Sequence, residues 1–202
     1  MQEEASFTIS RCAPGQVSSD AYNAIQALKA DAFGLPTNDS EAAKLASRRA
    51  SGEQWWVRGD WPESQRPEPL KVLYHLLYHD GGLAAIAQTS VRTVRPPSRD
   101  LDVLTLAGVV SAPSVRGRGP GKTVILDAFA RLEEEGLTHC LFQTGDARGL
   151  YEKLGGTLVD NRFVDRTAQD PDANPWSDDW VMRYPADAPW PDGLIDLNGP
   201  GY

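Results

Sequence analysis

The sequence predicts a single α/β domain built on a mixed β-sheet. Three observations lead there. Two apolar, β-prone runs, Val103 to Ser111 and Thr138 to Gln143, bracket an amphipathic segment from about Pro120 to Glu135, a strand–helix–strand order. Upstream, Asp80-Gly81-Gly82 signals a hairpin into a long strand from Leu83 to about Val94. The chain has 202 residues of which 41% are apolar, enough to fill one core and too apolar for disorder throughout.

Each element has a local reason. Phe7 to Ser10 reads as a short first strand. Ser19 or Asp20 can cap a helix that carries Tyr22, Ile25, Leu28 and Phe33 near helical spacing, and Gly34 and Pro36 end it. Asp39 to Arg49 reads as a second helix. Residues 53 to 58 and 70 to 79 read as strands separated by a loop at Pro62, Pro67 and Pro69. Pro96-Pro97 breaks the long strand after the hairpin. In the central helix Val124, Ile125, Ala128, Phe129 and Leu132 share one face, and Gly136 suits its C-terminal cap. Ala147 to Leu154 reads as a short helix stopped by Gly155-Gly156, and Trp180 to Tyr184 as a last strand. No internal repeat or low-complexity linker divides residues 1 to 202.

Charge and composition narrow the partners. The net charge of −8 argues against nucleic acid, whose phosphates need basic faces. It suits a cationic small molecule better. The excess is concentrated: residues 165 to 202 hold eight Asp and two Arg, in a Pro- and Trp-rich segment. No apolar run approaches the roughly 18 residues of a membrane span. The acidic start, Met1-Gln2-Glu3-Glu4-Ala5, lacks the basic and apolar regions of a signal peptide. Cys12 and Cys140 have no metal-ligand spacing and read as reduced thiols, so no metal site is expected and the expected location is the cytoplasm.

The chemistry concentrates in the turn between the central strand and helix, Arg116-Gly117-Arg118-Gly119-Pro120-Gly121-Lys122. Glycines let backbone N–H groups approach an anion, and the following helix N-terminus adds partial positive charge. Pro120 suits the first helical turn. Arg116, Arg118 and Lys122 add mobile positive charge. A surface turn rich in Gly and Arg is the plain alternative. Gly121-Lys122-Thr123 also invites comparison with a P-loop, but that motif needs Gly where Arg116 stands, and Pro120 interrupts the row of amide donors. No second acidic strand for magnesium accompanies it.

The turn resembles the acetyl-CoA loop of the GNAT acetyltransferase superfamily, whose pattern is Arg or Gln, two free positions, Gly, one free position, then Gly or Ala. Arg116, Gly119 and Gly121 fill the fixed positions. Leu150-Tyr151-Glu152-Lys153-Leu154-Gly155 resembles that family's second motif, and the resemblance is close over residues 101 to 160. It implies a mixed, mostly antiparallel sheet splayed around an acyl-CoA cleft. Backbone groups at Val109, Val110 and Ser111 would pair with the pantetheine arm. Amides from Arg116 to Gly121 would hold the pyrophosphate beside Lys122. Thr144 stands where relatives often carry Asn or Ser, and Leu150 opens the second motif. Tyr151 matches the tyrosine that protonates the departing thiolate.

Two positions depart from the pattern. Relatives often carry a glutamate base where this chain has Ala107, so no general base carries over; Asp102, His75, His79 or a tail carboxylate could substitute. Gly156 replaces an aromatic, which is expected to loosen the junction after the second motif. The reading is thus an acetyl-CoA-dependent N-acetyltransferase, similar to aminoglycoside 2′-N-acetyltransferases, acting by direct transfer on a small-molecule amine. Its alternatives are a silent acetyl-CoA-binding module or, further off, a P-loop nucleotide enzyme. Trp176, Trp180, Trp190 and Tyr202 interleave with Asp178, Asp179, Asp187, Asp192 and Asp196, which suits a strap that receives a cation. The alternative is a solvated tail whose aromatics patch the core.

Overall fold

A computed structural model describes residues 7–33 and 71–202 of the chain. Asp39 to Arg49, residues 53 to 58 and the Pro62–Pro69 loop lie outside the described residues. The strands are β1 (Phe7–Cys12), β2 (Leu73–His79), β3 (Gly82–Val94), β4 (Leu101–Ser111), β5 (Cys140–Thr144), β6 (Thr157–Leu158), β7 (Phe163–Val164), β8 (Trp180–Tyr184) and β9 (Ile195–Asp196). Seven of them form one sheet in the order β1-β2-β3-β4-β5-β8-β6. Every pairing in it is antiparallel except β4 with β5. A parallel pair needs a crossover, and a long helix, Pro120–Glu134, supplies it. Helix α1 (Ser19–Phe33) follows β1, so the crossover helix is α2, and α3 (Arg148–Lys153) follows β5. The two-residue strands β7 and β9 pair in parallel within the tail.

Local chemistry sets the ends of the helices. Ser18, one residue before the predicted cap, does the capping of α1: its Oγ accepts from Ala21 N at 3.2 Å and its carbonyl from Tyr22 N at 2.9 Å. Helix α2 closes on Gly136 at φ 66°, with Leu137 N donating to Leu132 O at 2.8 Å and Gly136 N to Glu133 O at 3.2 Å. This is the paired i+5 and i+3 closure that a left-handed glycine permits. Gly155 at φ 92° closes α3 in the same way, with Gly156 N on Tyr151 O at 2.9 Å.

Three apolar clusters hold these layers. Val124, Ile125, Ala128, Phe129 and Leu132 of α2 bury against Leu77, Ala85, Ala87, Leu104 and Leu106 on one sheet face. Each Val, Ile, Leu or Phe among them contributes about 1.5–3 kcal/mol when fully buried. On the opposite face Ile25 and Leu28 of α1 cover Tyr74, Leu76, Ile86 and Val110. The rest of that side is covered by the C-terminal segment, through Phe163, Trp176, Ile195 and Leu197 on Val94, Val103 and Leu141.

Candidate active site

The sheet forks at its centre, and one residue causes the fork. In the β3–β4 register Gln88 faces Ala107 and Ile86 faces Val110, so Ala87 stands opposite both Gly108 and Val109. That is a β-bulge, and Gly108 takes it at φ 58°, a conformation glycine adopts without a Cβ penalty. Before the bulge, Leu104, Thr105 and Leu106 of β4 pair with Cys140, Leu141 and Phe142 of β5. Beyond it, β4 runs on through residues 107 to 111 with no register to β5. Among the described residues, the backbone of Val109, Val110 and Ser111 therefore has no strand partner on the β5 side. Val109 packs towards the α2 cluster and Val110 is buried under α1, which leaves their main-chain groups as the lining of the gap.

The Gly-rich turn lies at the end of this open half-strand. A 3-10 turn at Pro113–Val115 leads into it, and Arg116, Gly117, Arg118 and Gly119 are all exposed. Gly117 and Gly119 sit at φ 82° and 87°, and a Cβ on either would meet nothing within 4 Å. The glycines are thus required by backbone conformation and face open space, not a packed wall. Pro120 begins α2, so the first-turn amides of Gly121 and Lys122 point outward without an intrahelical acceptor. Arg116 Nε lies 3.4 Å from Ser111 O, and a Cβ on Gly121 would stand 3.2 Å from Ser111 Oγ. No carboxylate pairs with Arg116, Arg118 or Lys122 among the described residues. Arg116, Arg118 and Lys122 thus flank a helix N-terminus with no carboxylate partner among the described residues.

Across the fork, Tyr151 of α3 is buried, with its ring 4.5 Å from that of Phe142 on β5. Burial, reinforced by nearby Cys140, pushes its phenol above the ordinary tyrosine range, so it stays protonated and able to donate. Thr144 ends β5, and its Oγ1 accepts from Ala147 N at 3.2 Å, which shapes the turn into α3. Leu150 is exposed on the same helix. Gly156 does not loosen the junction. It is buried, and an added Cβ would stand 3.1 Å from Tyr151 O and 3.3 Å from Arg183 O. The missing side chain is what lets α3 close on β8.

The expected substitutes for a base are dispersed. His75 is fully buried on the α2 face, with Nδ1 2.6 Å from Asp127 Oδ2 and Nε2 2.8 Å from Thr89 Oγ1. Arg131 NH1 donates to the same Thr89 oxygen at 2.7 Å, and Arg11 grips Asp127 at 2.8 and 2.9 Å. Arg11, Arg131 and Lys71 already balance Asp127, Glu134 and Glu135, so a charged imidazole would be surplus. Burial lowers the His75 pKa against the opposing pull of Asp127, which keeps the ring neutral. Despite burial, hydrogen bonds from Arg11 and His75 hold the Asp127 carboxyl below its usual range. His79 lies beside Asp80 at the hairpin, and Asp102 is exposed near the start of β4, bonded to Thr93.

The tail divides between the two expectations. Trp176 is buried, and Trp190 and Tyr202 pack into the third cluster. Asp196 is buried and accepts from Arg166 N and Asn198 N at 3.2 and 2.9 Å. These residues patch the sheet and do not form a cation cage. Gln143 of β5 pins the segment at two places, donating to Tyr202 O at 2.9 Å and accepting from Ser177 N and Asp178 N at 2.9 and 2.8 Å. Of the five tail aromatics only Trp180 remains exposed, at 38%, with the Arg148 guanidinium 4.7 Å over its ring. Asp178 and Asp179 are exposed beside it where β8 meets Thr144.

The described side chains also include one that carries no signal in the sequence. Lys29 of α1 holds its amine against Gly108: a Cβ there would stand 3.2 Å from Nζ and 3.3 Å from Cε. Nothing in the sequence marks this lysine, because its neighbour lies 79 positions away and is met only through the fold.

The model of the acetyltransferase (GNAT) family matches residues 37–156. No curated protein matches the chain. Among solved structures, the chain resembles the GNAT family N-acetyltransferase YhbS of Escherichia coli in complex with CoA at 19% identity and a TM-score of 0.57, over 98% of this chain and 92% of that one. The ribosomal-protein-S18-alanine N-acetyltransferase of Escherichia coli matches at 19% identity and TM-score 0.54, over 92% and 97%. A GCN5-related N-acetyltransferase from Kribbella flavida matches at 15% identity and TM-score 0.52; the match covers 75% of this chain but spans only 33% of that longer protein.

Proposed function

The chain belongs to the acetyltransferase (GNAT) family, and from that premise we propose that it transfers an acetyl group from acetyl-CoA directly to an amine of a small, cationic acceptor. The observation that carries this reading is the continuity of the fork with the Gly-rich turn. The turn offers outward amides to a pyrophosphate, together with three cations that have no carboxylate partner among the described residues. From it, the free backbone of Val109 to Ser111 leads inward, so that a pantetheine arm would pair with β4 as an added strand would. The CoA bound to the similar Escherichia coli fold supports the same ligand here.

At the inner end, the acceptor nitrogen attacks the thioester carbonyl, and backbone N–H groups beside the bulge stabilise the oxyanion. Tyr151 is held protonated and gives a proton to the departing sulfur. A net charge of −8, with Asp178 and Asp179 exposed beyond Thr144, favours a cationic acceptor such as a polyamine or aminoglycoside. Calorimetry with CoA and with ATP–magnesium tests the site: CoA alone is expected to bind. Release of free CoA thiol from acetyl-CoA by a primary amine tests turnover, and Tyr151→Phe is expected to lower kcat by about 10² to 10⁴-fold while leaving CoA affinity unchanged. Wild-type kcat in that variant removes Tyr151 from the mechanism. CoA binding without thiol release for any amine would mark a silent binding module.

A further inference from the structure

The family's usual carboxylate is absent at Ala107, yet the fork is not without a titratable group. We propose that Lys29 is the general base of this enzyme, taking the proton from the acceptor's ammonium before attack. The inference rests on the acetyl-transfer reading, because it places the thioester at the inner end of the fork.

The geometry is specific. The amine of Lys29 reaches Gly108 from α1, on the sheet face opposite α2. Gly108 marks where β4 leaves β5, so the amine stands at the apex of the cleft. An acyl-CoA entering from the Gly-rich turn fills the gap along β4, and an acceptor must reach the thioester at that apex. The absent side chain at Gly108 gives Lys29 its place, since any Cβ would crowd the amine.

Its surroundings disfavour a charge. Among the described residues no carboxylate pairs with Lys29; the group facing it is the ring of Tyr74 on β2, 5.7 Å away. Burial, then Tyr22 and Cys12, push the Tyr74 phenol above its normal range, so it supplies a neutral face. From β4 the neighbour is glycine. Burial lowers the Lys29 pKa, which raises the fraction of neutral amine near neutrality. His75 and Asp127 lie on the other face and are engaged with each other.

Protons and electron pairs balance. The lone pair of Lys29 Nζ takes one proton from R–NH3⁺, leaving R–NH2 and the lysine ammonium. The freed nitrogen pair forms the N–C bond to the carbonyl carbon, and the C–S pair leaves on sulfur as the carbonyl re-forms. Sulfur takes a proton from Tyr151, whose phenolate is restored by the second proton shed from nitrogen. The products are the amide, the CoA thiol and one proton, which Lys29 returns to solvent.

The test compares Lys29→Gln and Lys29→Arg with wild type, measuring kcat/KM from pH 6 to 10 by thiol release. The acceptors are spermidine, an aminoglycoside, free lysine and an alanine-terminated peptide. Calorimetry with CoA checks that each variant is folded. A base must be neutral to act, so wild-type kcat/KM rises with pH to a plateau. Lys29→Gln is expected to fall about 10² to 10⁴-fold with unchanged CoA affinity, and its remaining rise should move up to follow the acceptor amine's own deprotonation. Lys29→Arg should fall as far, because a guanidinium stays protonated. Near-wild-type activity in Lys29→Arg overturns the proposal in favour of a fixed positive charge. An unchanged pH profile in Lys29→Gln overturns it outright while leaving acetyl transfer standing. Wild-type protein that releases no thiol with any acceptor defeats the acetyl-transfer reading and this one together.

Discussion

Replacing Gly119 by alanine separates two demands on one residue. Gly119 sits at φ 87° and ψ 14°, and a Cβ there would touch no protein atom within 4 Å. The protein alone should therefore lose only the backbone term, roughly 1–2 kcal/mol for a left-handed residue with a side chain. At about 2–4 °C per kcal/mol for a chain of this size, that lowers the melting temperature by about 2–8 °C. Bound CoA adds a second term. At 100 times its dissociation constant a ligand stabilises the wild-type fold by about 2.7 kcal/mol, or about 5–11 °C. The open space before Gly119 is where phosphate oxygens would approach, so a methyl group should erode that gain and the branched side chain of Gly119→Val should abolish it. Thermal melts with and without CoA resolve the two terms, and calorimetry gives the affinity directly. A folded Gly119→Val protein with the full CoA-dependent shift would refute the assignment of the turn as a phosphate site.

Two further outcomes follow from the network and the tail. His75 is neutral when folded and has an ordinary pKa of about 6.5 when unfolded, so the unfolded chain binds more protons as pH falls below that value. Stability should fall as pH drops from about 6.5 towards the lowered value in the fold, by up to about 1.4 kcal/mol per pH unit, and His75→Asn, which does not titrate, should flatten that slope in denaturant titrations; an equal slope would mean His75 is already charged in the fold. Deleting residues 195 to 202 removes Ile195 and Leu197, both fully buried. At about 1.5–3 kcal/mol each, the loss should lower the urea midpoint sharply, whereas an unchanged midpoint would return the segment to the status of a solvated tail.

Local signals carried much of this structure. Strand β8 has its predicted bounds, and α2 ends one residue before the predicted Glu135 because the Gly136 cap is written in the sequence. Strand β5 ends at Thr144, one position past the predicted Gln143. The Gly-rich turn and the short helix that carries Tyr151 were legible as local structure because each belongs to a short contiguous motif. What was missed depends on distance. His75 meets Asp127 across 52 positions, and Lys29 meets Gly108 only after the sheet assembles. The bulge itself left a trace, a glycine inside an otherwise apolar strand, but nothing in the strand's composition says which way it will turn. In the tail, the alternation of tryptophan and aspartate suggested a cation strap; burial of Trp176 and Ile195 followed instead from an uncovered sheet face that the sequence alone does not display.

Removing Gly108 would let Val109 face Ala87 directly and leave Val110 against Ile86, a regular ladder with unaltered inward and outward alternation. The straightened strand could then continue beside β5 past Leu106 and Phe142, adding hydrogen bonds where the fold now has a gap. A shorter chain would thus have the more complete sheet. Residue 108 gives up ladder hydrogen bonds between β4 and β5 in return for an opening in the sheet.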